Sequence, residues 1–252
     1  MRCLVSNDDG AHSAGLQALK RAAEAAGFET WVVAPDREQS ATAHSLTLHR
    51  PLRVARLGER FYAIDGTPTD CVNLAVCSIM KDARPDFVLS GINAGPNLGD
   101  DVTYSGTVAC AFEGTLLGVP SIAFSLNTWS QEGQPDYTEA EKAALEIIRW
   151  APDDPPEGEI LWNVNIPAGV PKGIMATRLG RRRYGQNVVE KIDPRGRPYY
   201  WIGGALIDTH ADGTDLTAVH EGWISVTPLQ LDMTNYKALA NLEAQRIKPP
   251  VP

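Results

Sequence analysis

Long apolar runs are missing from this chain of 252 residues. No stretch reaches the roughly 18 consecutive apolar residues that a membrane-spanning helix needs. The N-terminus, Met-Arg-Cys-Leu-Val-Ser followed by acidic residues, also lacks the apolar segment of a secretory signal. We therefore expect a cytoplasmic protein with no membrane partner.

Cysteine and basic residues are scarce as well. The 4 cysteines contain no Cys-x-x-Cys pair and fall in apolar stretches, which favours buried free thiols over a disulfide or a zinc site. Lys and Arg number 23 against 31 Asp and Glu, and the formal net charge is -8. Because a negative protein is not attracted to phosphate backbones in general, we expect no stable nucleic-acid partner.

The sequence does contain an alternation of short apolar runs with segments of helical periodicity. Apolar runs that lack polar alternation are typical of strands buried on both faces, and spacings of three and four residues predict helices. The predicted strands lie at about 3–6, 30–34, 86–90, 121–125 and 160–164, and the predicted helices at about 16–26, 68–80, 106–117 and 138–150. This order predicts a three-layer, Rossmann-like α/β fold whose mainly parallel sheet carries helices on both faces.

The pattern changes beyond residue 167 to short extended runs and turn signals. The aromatic run 199–201 after the turn at 193–196 is predicted to form one half of a hairpin, and a last helix is predicted at about 234–246. We interpret 1–252 as a single domain with a core over about 1–167 and an extended arm and C-terminal helix over about 168–252. The three aromatic residues pack either on the core or on a second subunit, and the sequence leaves both open.

Adjacent carboxylates, Asp8 and Asp9, follow the first predicted strand. In a doubly wound sheet, ligands bind beyond the carboxyl ends of the strands. Two neighbouring carboxylates at such a position repel each other unless a cation lies between them, and oxygen donors without Cys or His suit Mg²⁺, Mn²⁺ or Ca²⁺. The pair therefore indicates a divalent metal site, although one of the two aspartates could instead cap the following helix.

A glycine-rich loop, residues 91–99, precedes Tyr-Ser-Gly-Thr-Val at a predicted helix start. Free amides at a helix N-terminus bind phosphate through hydrogen bonds and the helix dipole. The loop is neither a Walker loop nor the Gly-x-Gly-x-x-Gly of dinucleotide-binding folds. It is interpreted as a phosphate-binding loop, with an ordinary turn and a serine cap as the alternative.

Five ordered blocks carry a resemblance to a known family. They read Asn-Asp-Asp-Gly at 7–10, Ala-Pro-Asp-Arg-Glu-Gln-Ser at 34–40, Gly-Thr-Pro-Thr-Asp-Cys-Val at 66–72, Ser-Gly-Ile-Asn-Ala-Gly-Pro-Asn-Leu-Gly at 90–99 and Tyr-Ser-Gly-Thr-Val-Ala at 104–109. Together they resemble the SurE family of survival-protein nucleotidases. Shorter stretches at 193–201, 213–215 and 226–229 resemble the second half of that family.

The resemblance implies hydrolysis of nucleoside 5'- and 3'-monophosphates to nucleoside and phosphate, with polyphosphate as a further substrate. It implies one divalent ion per subunit, Mg²⁺ or Mn²⁺, and a homodimer or homotetramer. By motif position it implies a set of metal ligands, Asp8, Asp9, Ser40 and Asn93. It likewise implies a set of phosphate contacts, Asn97, Ser105, Gly106 and Thr107.

The resulting hypothesis is direct hydrolysis by a metal-activated water, with the helix start at 105–107 neutralising the developing charge. Asp8 and Asp9 are the candidates for accepting the proton of the water, and the sequence does not distinguish them. Two alternatives are disfavoured. A dehalogenase-type phosphatase needs Asp-x-Asp, whereas Asp8 and Asp9 are adjacent, and a receiver module needs an aspartate at the end of the third strand, where this sequence has Ser90. A nucleotide-binding sensor without turnover shares every binding feature and remains an alternative.

Three further features have weaker interpretations. His12 and His44 lie in loops near the candidate site, and His12 is expected to be an ordinary surface residue. The basic run Arg181-Arg182-Arg183 either steers phosphate, contacts another subunit or forms an exposed basic turn.

Overall fold

The computed structural model describes residues 1–128, 133–151, 160–185, 187–203 and 206–244. Its strands are β1 (Arg2–Ser6), β2 (Glu29–Pro35), β3 (Val54–Gly58), β4 (Phe61–Ile64), β5 (Phe87–Ala94), β6 (Ser121–Leu126), β7 (Leu161–Ile166), β8 (Ile174–Ala176), β9 (Arg181–Tyr184), β10 (Asn187–Ile192), β11 (Pro198–Gly203), β12 (Leu206–Thr209) and β13 (Ile224–Pro228). Its α-helices are α1 (Ala14–Ala25), α2 (Pro68–Leu74), α3 (Gly106–Leu116), α4 (Thr138–Trp150), α5 (Asp215–His220) and α6 (Tyr236–Ala244).

A 9-stranded sheet in the order β3-β4-β2-β1-β5-β6-β7-β13-β8 forms the centre of the protein. Within the described residues its neighbouring strands run parallel except at the β3–β4 and β7–β13 pairs. The predicted three-layer α/β fold with a mainly parallel sheet is therefore confirmed. Its two antiparallel pairs each include a strand, β3 or β13, that the sequence did not predict.

Alternation along β1 sends its side chains to opposite faces of the sheet. Cys3 and Val5 pack in a core with α1 and α4, whereas Leu4 packs in a second core with α2 and α3. Since a strand alternates its side chains with a period of two, an uninterrupted apolar run is what this double burial requires. Helices cover both faces, as predicted.

Sequence signals at helix starts act as expected. The hydroxyl of Ser13 caps α1, and Thr67 and Asp70 form a reciprocal capping box at α2, with Pro68 at its first turn. The predicted helix through residue 80 is corrected, because α2 gives way to a π-helix at Ala75–Ile79. There the amide of Met80 donates to the carbonyl five residues back instead of four.

The structure extends two other predictions. β5 continues to Ala94, where a loop was predicted from residue 91, because Asn93 and Ala94 pair with β6 beyond an irregularity in register. β8 and β13 lie beyond residue 167 yet join the central sheet, so the sheet is not confined to the predicted core. The β10–β11 hairpin forms at the predicted turn, and α6 lies within the predicted last helix.

Among the cysteines, the prediction of burial holds for Cys3, Cys71 and Cys110 but is wrong for Cys77, which is exposed in the π-helix. In the described part of the chain, every helix is too short or too polar to cross a bilayer.

Candidate metal and phosphate site

The candidate site lies where β1 stands between β2 and β5. The chain leaves β1 toward β2 on one side, and β5 pairs with β1 on the other, which makes this the point where a doubly wound sheet opens a crevice. The turn after β1 is fastened to the end of β2, because the amide of Ala11 donates to the carbonyl of Pro35 at 2.8 Å. The loops after β1, β2 and β5 therefore converge.

Asp8 is only 5% exposed and faces the first turn of α3. The hydroxyl of Thr107 donates to Oδ1 of Asp8 at 2.5 Å. A Cβ on Gly106 would stand 2.7 Å from the Cβ of Asp8, so only glycine permits this approach. The pKa of Asp8 is raised to about 6: burial raises it most, the Thr107 hydrogen bond lowers it, and the neighbouring Asp9 raises it.

Asp9 is half-buried and faces the end of β5. Its Oδ2 accepts a hydrogen bond from the amide of Ala94 at 3.3 Å. Burial raises the pKa of Asp9, the Ala94 amide opposes that rise, and the nearby carboxylate of Glu38 adds to it. Both neighbouring carboxylates thus have raised pKa values, which is the condition that a divalent cation would relieve.

Ser40 lies on the loop after β2, which runs directly past Asp8. The amide of Gln39 donates to the carbonyl of Asp8 at 2.8 Å, and Oγ of Ser40 donates to Oε1 of Glu38 at 2.8 Å. Ser40 is exposed. Because the hydroxyl donates its proton to Glu38, the lone pairs of its oxygen are available to a metal ion.

Asn93 directly precedes Ala94, whose amide donates the hydrogen bond to Asp9. Its Nδ2 donates to the carbonyl of Gly95 at 2.8 Å, so the amide oxygen is the atom suited to a cation. The structure therefore brings Asp8, Asp9, Asn93 and the loop of Ser40 to one edge of the sheet.

Buried polar side chains fix the backbone of Asn97. Its amide donates to Oδ1 of Asn165 at 2.8 Å, and its carbonyl accepts from Asn163 at 2.8 Å and from Asn165 at 3.0 Å. Its side-chain Nδ2 donates to Ser125 at 2.8 Å. Sequence reasoning did not find these supporting residues, although asparagines at alternate positions of the apolar strand β7 are a signal for them.

Three of the four predicted phosphate contacts, Ser105, Gly106 and Thr107, lie at the start of α3. Oγ of Ser105 caps the helix by accepting from the amide of Val108 at 3.1 Å. Gly106 and Thr107 occupy its first turn, where backbone amides and the helix dipole favour an anion. The hydroxyl of Thr107 bonds to Asp8, a contact that the sequence did not predict.

The donors fit a hard divalent cation. Two carboxylates, a hydroxyl and an amide oxygen are all oxygen ligands, which Mg²⁺ and Mn²⁺ prefer. No group of three or more His, Cys, Asp or Glu residues suited to a metal occurs among the described residues, which leaves no zinc-type cluster there. In the described structure, the buried Oδ1 of Asn7, the residue before Asp8, also has no hydrogen-bond partner.

The remaining candidate residues of the sequence make contacts of their own. His12 is exposed, as expected, while the ring of His44 bonds to Glu113. The interpretation of the basic run as an exposed turn is wrong for Arg182. Its side chain is fully buried and donates to Asp101 at 2.5 Å. Arg181 is mostly exposed and lies 3.7 Å from Asp100.

Comparison with known proteins gives a consistent result. Residues 3–186 match the family described as survival protein SurE. A protein of Anaeromyxobacter dehalogenans (strain 2CP-C) named 5'-nucleotidase SurE is 53% identical over 238 residues, which cover 93% of this chain and 92% of that protein. The chain belongs to the SurE family.

Two further SurE proteins extend the agreement to the full length. One from Syntrophotalea carbinolica, also named 5'-nucleotidase SurE, is 51% identical over 94% of both chains. The crystal structure of the SurE protein from Aquifex aeolicus superposes with a TM-score of 0.84 at 42% identity and covers 98% of this chain and 100% of that one. The sequence-based assignment to the SurE family is confirmed.

Proposed function

We propose that this SurE-family protein is a divalent-metal-dependent phosphomonoesterase that hydrolyses nucleoside 5'-monophosphates, and 3'-monophosphates, to nucleoside and phosphate. The observation that carries the proposal is the position of Asp8, a buried carboxylate held against the first turn of α3 by Thr107. The names of its relatives as 5'-nucleotidases support the reaction class. Polyphosphate is a further substrate to be tested.

We propose Asp8, Asp9, Ser40 and Asn93 as the ligands of one Mg²⁺ or Mn²⁺. A divalent ion bound there would polarise a phosphoryl oxygen and make a coordinated water more acidic. The hydrogen bond from Thr107 holds the Asp8 carboxylate in one orientation, as outer-shell partners of metal ligands do. Asp8 or Asp9 is then the acceptor for the proton of the attacking water.

The phosphate group is proposed to lie at the start of α3, against Asn97, Ser105, Gly106 and Thr107. Amides at the helix start neutralise charge that develops on the phosphoryl oxygens, and they need no rearrangement because the helix already orients them. The hydrogen bonds of Asn163 and Asn165 to the backbone of Asn97 fix the position of that residue. In this proposal the metal ion and the attacking water lie at the strand ends, and the start of α3 stabilises the negative charge of the phosphate.

The remaining expectations are proposals of the same kind. A homodimer or homotetramer is supported by the exposed apolar side chains of the β10–β11 hairpin, in which Trp201 is 65% and Ile202 94% exposed. Solution mass by light scattering tests it. A single phosphatase domain over 1–252 and a cytoplasmic location complete the proposal.

Phosphate release from a panel of nucleoside 5'- and 3'-monophosphates and from polyphosphate tests this function. We expect release from the monophosphates with Mg²⁺ or Mn²⁺, none after EDTA, and recovery when metal is added back. Binding of nucleotides without turnover under all metal conditions would contradict the proposal and favour a sensor.

A further inference from the structure

The loop that carries Ser40 has an unusual backbone. Ala41 and Ala43 have φ values of 57° and 50°, in the left-handed region that residues with a Cβ rarely adopt. This region is strained for a residue with a Cβ, so the conformation persists only if surrounding contacts impose it. The segment is itself largely exposed, so the contacts that fix it must come from neighbouring elements.

Backbone contacts fix both sides of Ser40. Before it, the amide of Gln39 donates to the carbonyl of Asp8, and after it, the amide of Ala43 donates to the carbonyl of Tyr104 at 3.2 Å. Further along, the hydroxyl of Thr67 donates to the carbonyl of Ser45 at 2.7 Å. These contacts join the loop to the turn after β1, to the residue before the α3 cap and to the α2 cap.

One side chain of this loop reaches into the protein to make a contact of a different kind. Nε2 of His44 lies 2.8 Å from Oε2 of Glu113, and Nδ2 of Asn73 donates to Oε1 of the same carboxylate at 2.8 Å. Glu113 lies on α3 and is 5% exposed, while Asn73 lies on α2. Burial alone would raise the pKa of Glu113, but the hydrogen bonds from His44 and Asn73 outweigh it and lower that pKa, so the carboxylate accepts from both.

We infer that His44 is a positioning residue for the metal site: its hydrogen bond to Glu113 fixes the loop of Ser40 to α3, the helix whose first turn faces Asp8. The inference rests on the proposed metal site and adds a residue to it. The first turn of α3 contacts Asp8 through Thr107, and Glu113, farther along the same helix, contacts His44. One rigid helix therefore sets the distance between the loop of Ser40 and the carboxylate pair. Losing the His44 contact removes the side-chain anchor of the ligand loop, whereas the backbone contacts on both sides of Ser40 and the phosphate-binding amides stay in place.

Mn²⁺ binding to the full-length protein, measured by isothermal titration calorimetry, tests the inference. His44→Ala removes the contact, whereas His44→Gln keeps an N–H donor of similar reach. His49→Ala is the matched control, since His49 is an exposed histidine five residues farther along the same segment. Asp8→Asn tests the metal site independently, and thermal unfolding of each variant reports its stability.

We expect His44→Ala to raise the Mn²⁺ dissociation constant by up to about tenfold, no more than the lower end for residues that contact a metal ligand directly, because His44 acts through the loop of Ser40. We expect kcat at saturating Mn²⁺ to stay close to the wild-type value. His44→Gln and His49→Ala should bind Mn²⁺ as the wild-type protein does. A purely structural role for His44 would instead lower the unfolding temperature without changing the dissociation constant.

The outcomes separate the two proposals. If Asp8→Asn abolishes Mn²⁺ binding and His44→Ala leaves it unchanged, the metal site stands and the positioning role of His44 is wrong. If the wild-type protein binds no Mn²⁺, or Asp8→Asn binds it equally well, the proposed metal site is wrong and the inference falls with it.

Discussion

Thr107 donates its hydroxyl proton to the carboxylate of Asp8 across 99 positions of the sequence. This hydrogen bond joins the turn after β1 to the first turn of α3, and so joins the proposed metal ligands to the proposed phosphate site. The chemistry assigned to the protein depends on the two being held together.

Replacing Thr107 by valine keeps the shape of the side chain and removes the donor. The carboxylate of Asp8 then lacks a buried partner, and we expect kcat/KM to fall about tenfold or more, as for other outer-shell partners. Thr107→Ser retains the hydroxyl and is expected to stay close to wild type in steady-state kinetics. Wild-type kinetics for Thr107→Val would contradict this role of the hydrogen bond.

Asp8 should make the metal-free protein sensitive to pH. Its pKa rises from 3.8 to about 6 on folding, mainly through burial, so folding favours the protonated form. The stability gained by protonation is complete below pH 3.8 and is lost as pH rises through about 6. At pH 7 Asp8→Asn should therefore be more stable than the metal-free wild type, by on the order of 2–3 kcal/mol.

Urea unfolding in EDTA at a series of pH values measures this difference between the two proteins. Because other carboxylates also titrate, only the difference is informative. It should vanish near pH 4 and reach its full size near pH 7. A difference that does not change with pH would mean that Asp8 has an ordinary pKa in the folded protein.

Gly106→Ala tests the close approach of α3 to Asp8. Alanine favours a helix over glycine by about 1 kcal/mol, but its Cβ would stand 2.7 Å from that of Asp8. We expect the conflict to displace the carboxylate and lower kcat/KM strongly. Gly58→Ala is a suitable control because its Cβ would meet Phe61 at an ordinary 3.4 Å. Unchanged kinetics for Gly106→Ala would show that the helix start can move without harm.

The location of the candidate site could be predicted from sequence for a physical reason. A parallel sheet brings the carboxyl ends of its strands to one edge, so residues at the ends of neighbouring strands lie close together, such as Asp9 after β1 and Asn93 near the end of β5. The apolar runs of β1, β2 and β6 were long enough to identify those strands. Ser40 was added only by resemblance to the family, because an exposed serine on a loop has no local pattern that indicates a ligand.

Other features depend on contacts that no local pattern encodes. Arg182 lies in a basic run that looks exposed, yet it is buried because Asp101, 81 positions earlier, faces it. β13 is a short strand whose place in the sheet depends on pairing with β7 across a long separation. The extension of β5 to Ala94 likewise requires β6 as its partner.

The Arg182–Asp101 pair gives a prediction about stability. Arg182→Met leaves the carboxylate of Asp101 buried without the guanidinium, which should cost about 3–5 kcal/mol. Adding Asp101→Asn should recover part of that loss, because two residues in contact are not additive. Urea unfolding of the two single variants and the double variant measures the coupling. Strict additivity would show that the two charges do not stabilise each other.

The central claim is that Asp8 holds a catalytic divalent ion, and phosphate release by Asp8→Asn tests it most directly. With a nucleoside 5'-monophosphate and saturating Mg²⁺ or Mn²⁺, the wild-type protein should release phosphate. The Asp8→Asn variant should release none while its circular dichroism spectrum remains that of the folded protein. Undiminished turnover by the folded variant would contradict the account.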